Sequence, residues 1–161
     1  MSSAITMMPV PIIVVDSSVS LKWVLNDEEA VTEAVALRDD GLAGRIQWIV
    51  PDLWHYELTN GLITAVRRRR ISEAQAMMGL MNIMALALPT AVPRAADVYQ
   101  KAIQYTIAAY DAAYLALAEM LDAIVWTGDH RFYTAVRSQT ARVHWIGDYL
   151  VSRPDAGKGE L

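Results

Sequence analysis

The chain has 161 residues, 54% hydrophobic and 20% charged, which fits one folded domain with a sizeable core and excludes a disordered chain. It has no cysteine, so a disulfide framework and any thiolate metal site are excluded; a reducing, cytoplasmic location is the expectation. Net charge is −4, from 14 basic and 18 acidic residues, so overall sign gives no pointer to nucleic acid, although Arg67, Arg68, Arg69 and Arg70 pack four positive charges together.

Taken in chain order, the N-terminus carries no Lys or Arg before its first apolar stretch and does not read as a secretory signal. Pro9 to Val15 is predicted as a strand covered on both faces, and it ends abruptly in Asp16. Val19 to Leu25 reads as a short helix and Glu28 to Asp40 as a second, ended by Gly41. Ile46 to Val50 is the next strand, stopped by Pro51, and Asp52 to Arg70 has helical character. Ser72 to Leu88 is another predicted helix, with Ser72 and Gln75 placed as a capping box. The apolar run from Ala74 to Leu88 is too short, and too interrupted by Gln75, Gly79 and Asn82, to span a bilayer, so no membrane is expected. Arg94 to Tyr105 reads as a helix, and Thr106 is placed to cap the next one, Ile107 to Leu121. Ala123 to Trp126 is a third strand, His130 to Ser138 a short helix, and Ala141 to Ile146 a last strand. The domain is expected to span residues 1–150, with 151–161 as a flexible tail rich in Pro, Gly and charge.

Strands alternating with helices predict an α/β fold, a parallel sheet sandwiched by helices. Such folds bind ligands at the carboxyl ends of their strands. Asp16 follows the first strand and Asp129 follows the third, after Thr127 and Gly128, so both are expected at one edge. Two further acids stand in unusual places. Asp111 lies in the middle of "TIAAYDAAYLALAEML", apolar nearly all round, with no cation one turn away. A lone buried carboxylate is costly, so such groups are normally paired or bound to metal. Glu57 lies in "PDLWHYELTNGLITAVRRRR" and shares a helix face with Asn60, Gly61, Thr64 and Arg68, a small polar face running into the arginine run.

Asp16, Glu57, Asp111 and Asp129 thus come from four elements and are candidates to converge. A cluster of carboxylates repels itself without a cation, and all-oxygen donors suit Mg2+ or Mn2+. The chemistry implied is hydrolysis of a phosphodiester. Ser18 and Thr127 are placed to bond these ligands or the water beside them. Each acid also has a bland reading. Asp16 and Asp129 fit helix caps, Glu57 a solvated helix position, and Asp111 a pairing with a distant arginine. The arginine run fits a solvated helix end, with Arg67 and Arg68 as candidates for RNA contact. Met77, Met78, Met81 and Met84 read as core or dimer interface, and Trp23 and Trp54 as packing residues. His55-Tyr56-Glu57 resembles the H-x-E of zinc deaminases, but that chemistry also needs cysteines. A haloacid-dehalogenase-like phosphatase would want an acid where Ser18 stands.

Four stretches, "VVDSSVSLKWVL", "PDLWHYELTNGL", "YDAAYLALAE" and "TGDHRF", in this order and spacing, resemble the PIN-domain family and within it the VapC-type toxins of toxin–antitoxin pairs. The resemblance runs from about Val10 to Leu150. It implies an endoribonuclease whose Mg2+ or Mn2+ is held by the matching acids, Asp16, Glu57, Asp111 and Asp129. Asn60 matches a polar residue often seen after the helical glutamate. The resemblance also implies a homodimer and a cognate antitoxin that packs on the helices. A metal-dependent nuclease acting on DNA and a non-catalytic interaction module of the same fold are the alternatives.

Overall fold

The computed structural model describes residues 9–153; of the expected tail 151–161, Val151 and Ser152 lie in a last short helix, and residues 154–161 lie outside the described residues. Five strands form one parallel sheet: β1 (Ile12–Val15), β2 (Gln47–Pro51), β3 (Thr90–Ala91), β4 (Ile124–Thr127) and β5 (Val143–Trp145), in the order β3-β2-β1-β4-β5. Eight helices accompany them: α1 (Ser17–Leu21), α2 (Val31–Leu42), α3 (Trp54–Arg67), α4 (Glu73–Ala85), α5 (Ala95–Tyr105), α6 (Ala109–Met120), α7 (His130–Val136) and α8 (Tyr149–Ser152). The architecture is the expected α/β one. No helix among the described residues is long and apolar enough to cross a membrane.

The central strand explains the whole. Ile13, Val14 and Val15 are β-branched, suit the pleat, and are buried on both faces. One side is covered by α6, whose residues Ala112 to Ala118 are all buried and pack on β1, β2 and β4. Because every strand runs the same way, every carboxyl end opens on one edge. The register pairs Val15 with Trp126 and Thr127 with Trp145, so Asp16 emerges beside the end of β4. The Asp16 N–H donates to the Trp126 carbonyl at 3.1 Å and fixes that position.

Several boundaries differ from the sequence reading, each for a local reason. Ser72 and Gln75 do form the reciprocal capping box that starts α4. Gly41 does not end α2; it lies inside it, where a side chain would strike the Trp48 ring. Thr106 does not cap α6. It takes a left-handed φ of 54° and closes α5, and Ala108 precedes α6 with no side-chain cap. The strand Thr90–Ala91 is too short for a periodic signal. Met77, Met78 and Met81 are exposed and so are not core. Trp54 is buried and donates to Ser20 Oγ at 3.1 Å, joining α3 to α1.

Gly79 is a buried glycine inside α4, and a Cβ there would stand 2.6 Å from both methyls of Val24. Alanine improves helix propensity by about 1 kcal/mol, but the stiff β-branched Val24 cannot swing aside. Overpacking costs about 1–3 kcal/mol, so the clash wins. Gly79→Ala is expected to cost about 1 kcal/mol of stability, read as a lower urea midpoint in chemical denaturation.

Candidate active site

Asp16 occupies the N-cap position of α1, yet its side chain makes no capping bond. Its carboxylate is held from elsewhere. Ser18 Oγ donates to Oδ2 at 2.8 Å and Thr127 Oγ1 donates to the same oxygen at 2.5 Å. Those hydroxyls are anchored in turn, since Gly128 N–H donates to Ser18 Oγ at 2.8 Å and Asp129 N–H to Thr127 Oγ1 at 3.0 Å. Oδ1 receives only a long bond from Ser17 Oγ, 3.4 Å. One oxygen is saturated by protein and the other is nearly free. The Asp16 carboxylate is thus held chiefly by the Ser18 and Thr127 hydroxyls.

Glu57 sits in the first turn of α3. Its Oε1 accepts from the Tyr114 hydroxyl at 2.6 Å, and Tyr114 also accepts from the Ser17 N–H at 3.2 Å. Tyr114 is fully buried on α6, so this phenol ties β1's exit, α3 and α6 together. Tyr114→Phe is expected to cost about 1.5–3 kcal/mol, because it breaks a bond to a charged group and strands the Ser17 N–H. It should also raise the Glu57 carboxyl further, since that bond holds it down. Denaturation at two pH values measures both.

Asp111 lies in the first turn of α6, not in its middle as the apolar run suggested, because Ile107 and Ala108 belong to the preceding turn. It is half-buried, and no side-chain hydrogen bond reaches it among the described residues. Asp129 does cap α7: its Oδ1 accepts from the N–H of Arg131 at 2.8 Å and of Phe132 at 3.3 Å. Both bonds use one oxygen. The helix-cap reading of Asp129 is thus what the structure shows.

Three of the four carboxyls are raised. Burial raises the Asp16 carboxyl, against its hydroxyl partners, and the Asp129 charge adds to the rise. Burial also raises Glu57, helped by the charges of Asp16 and Asp129. Asp111 is pushed up to about 7 by burial and then by Asp16, Asp129 and Glu57, with Arg131 opposing. The helix macrodipole favours ionised Asp111 by about 0.3–1 kcal/mol, and the burial and the three like charges outweigh it.

This donor set fits a hard divalent cation. It is all oxygen, it carries negative charge that burial disfavours, and each acid keeps at least one oxygen lightly used or free. Among the described residues no three His, Asp or Glu side chains are gathered closely enough to hold one metal ion together. Mg2+ is held through one or two protein carboxylates and keeps several waters, so it does not require such a group.

Other expected residues fall differently. Asn60 is exposed and makes no hydrogen bond to the four acids among the described residues. Gly61 packs against Leu21 of α1, so the polar face from Glu57 to Arg68 is not an open track. Arg67 and Arg68 end α3 exposed, about 15 Å along the helix from Glu57 at 1.5 Å per residue. Arg70 is tied to Asp27 at 2.6 Å and Glu28 at 3.0 Å. The sequence reading missed Lys22, Tyr114 and Arg131. Lys22 is buried against Gly128 and pairs with Glu28 at 3.3 Å. A charge inside the apolar run "VSLKWVL" was its signal, and a phenol one turn from Asp111 was that of Tyr114.

The domain is a parallel α/β one, with Asp16 after β1, Asp129 after β4, Glu57 in the first turn of α3 and Asp111 in the first turn of α6. The PIN domain family model matches residues 13–137. Over 129 residues the chain is 33% identical to "VapC ribonuclease Mb0985" of Mycobacterium bovis, covering 79% of this chain and 93% of that protein. "Ribonuclease VapC9" of Mycobacterium tuberculosis matches with the same identity and coverage. Among solved structures, PAE2754 from Pyrobaculum aerophilum has the same fold, with a TM-score of 0.67 and 21% identity over 88% of this chain and 94% of that one. The chain belongs to the PIN-domain family.

Proposed function

We propose that this protein is a metal-dependent endoribonuclease and the toxin of a VapBC-type toxin–antitoxin pair. What supports the reading is that Asp16, Glu57, Asp111 and Asp129 come from four elements and their charges help raise three of these carboxyls, on a chain whose relatives are named ribonucleases. In this reading the four carboxylates hold Mg2+ or Mn2+, directly or through water. A bound cation supplies an activated water and neutralises charge at the scissile phosphate. Ser18 and Thr127 aim the Asp16 carboxylate, and Tyr114 aims Glu57. No histidine is hydrogen-bonded to these acids among the described residues, so the proton acceptor in this reading is a carboxylate or a hydroxide held by the ion. RNA, a cognate antitoxin and a second copy of the chain are the partners, and the cytoplasm is the compartment.

The test uses end-labelled RNA and DNA of one sequence, with Mg2+, Mn2+ or EDTA. Internal cleavage of RNA alone, dependent on the ion, supports the reading. Cleavage of DNA alone turns it into a deoxyribonuclease. No cleavage of either, with no metal binding, leaves a non-catalytic module of the same fold.

A further inference from the structure

Beside Asp111 and Asp129 a cleft of about 400 Å³ opens between the α5–α6 turn and α7, its walls including Ile107, Ala108, Arg131 and Ala135. Arg131 is the one Lys or Arg in that lining. We propose that this cleft is a nucleotide subsite, in which Arg131 takes the phosphate next to the scissile bond and the Ile107, Ala108 and Ala135 wall takes that nucleotide's sugar and base. The proposal rests on the ribonuclease reading.

Three observations support it. First, the position of Arg131 is fixed by the site itself. Its N–H is held by Asp129 Oδ1 at 2.8 Å. The preceding His130 stacks on Trp145 with ring centroids 3.8 Å apart and contacts Glu29 at 2.9 Å. The acid and the cation thus form one unit at the start of α7. Second, the guanidinium is exposed and makes no ion pair among the described residues, although Asp111 and Asp129 share its cleft. A guanidinium left open presents a planar fork that matches phosphate oxygens. Third, the cleft falls in the size range of small-ligand sites. Ile107, Ala108 and Ala135 give it an apolar lining beside the arginine. A polyanion approaching four carboxylates also needs a local cation of the protein, and Arg67 and Arg68 stand too far along α3 to supply it.

The experiment measures binding of a short fluorescein-labelled single-stranded RNA of mixed sequence across a KCl series. The parent is Asp16→Asn, so that the RNA stays intact. Arg131→Gln is expected to weaken binding about tenfold, the loss of one charge-assisted hydrogen bond. It should also make the slope of log affinity on log salt shallower by about one contact. Arg131→Lys should restore the slope but not the full affinity. Arg137→Gln, an equal charge change at the exposed far end of α7, should do neither. Parent-like affinity and slope in Arg131→Gln, or an equal loss in Arg137→Gln, overturns the subsite. A wild type that neither cuts this RNA nor, as the parent, binds it overturns the ribonuclease reading itself, and the subsite with it.

Discussion

Asp16→Asn is expected to abolish RNA cleavage while leaving the fold intact. Removing an outer partner of a metal ligand typically costs about 10- to 100-fold in affinity or activity, and removing a carboxylate proposed to hold the ion itself should cost more. The amide is isosteric and keeps one carbonyl oxygen for Ser18 and Thr127, whose hydroxyls can rotate to suit it. Asp16 is 4% exposed, and burial disfavours its ionised form, so the neutral amide should not destabilise the metal-free protein at neutral pH. Initial rates on labelled RNA, with circular dichroism as the folding control, measure both effects. Cleavage at the wild-type rate by a folded variant would remove Asp16 from the chemistry.

The second large effect is on stability against pH. The folded Asp111 carboxyl keeps its proton to about 7, while in the unfolded chain it loses it near 3.8. Between those values the native state binds more protons, so stability is fully present below the lower value and is lost as pH rises through the upper one. The metal-free protein is expected to be more stable at pH 5 than at pH 8. Asp111 contributes about 1–2 kcal/mol of this, the full linkage value being discounted for solvent screening of a half-buried side chain. Glu57 and Asp16 act in the same direction. Asp111→Asn should flatten the profile and raise stability at pH 8. A profile that rises from pH 5 to pH 8 in EDTA contradicts this picture of uncompensated carboxylates.

Much of the fold was legible because its signals are strong. Branched apolar runs mark β1, β2 and β4, and Ser72 with Gln75 marks the start of α4. The two-residue β3 carries no period to read. The four acids were legible as oddities of charge placement, but not their geometry. From sequence, Asp16 and Asp129 look like equal caps. Only the structure shows that Asp16 turns to Ser18 and Thr127, while Asp129 caps with one oxygen. Asp111 was read as mid-helix because Ile107 and Ala108 extend the apolar pattern; the extended backbone of Ala108 starts the helix later. Arg131 carries no sequence signal at all, since its meaning lies in the cleft that α6 and α7 enclose.

The most direct test of a divalent site among these carboxylates is thermal unfolding at pH 8 in EDTA and in excess Mn2+, for the wild type and Asp111→Asn. A ligand that binds only the native state adds about 2.7 kcal/mol at 100 times its Kd. For a domain of this size that is a rise of roughly 5–10 °C. The account predicts such a rise in the wild type and its loss or marked reduction in the variant. No rise in the wild type, or an equal rise in both proteins, would contradict it.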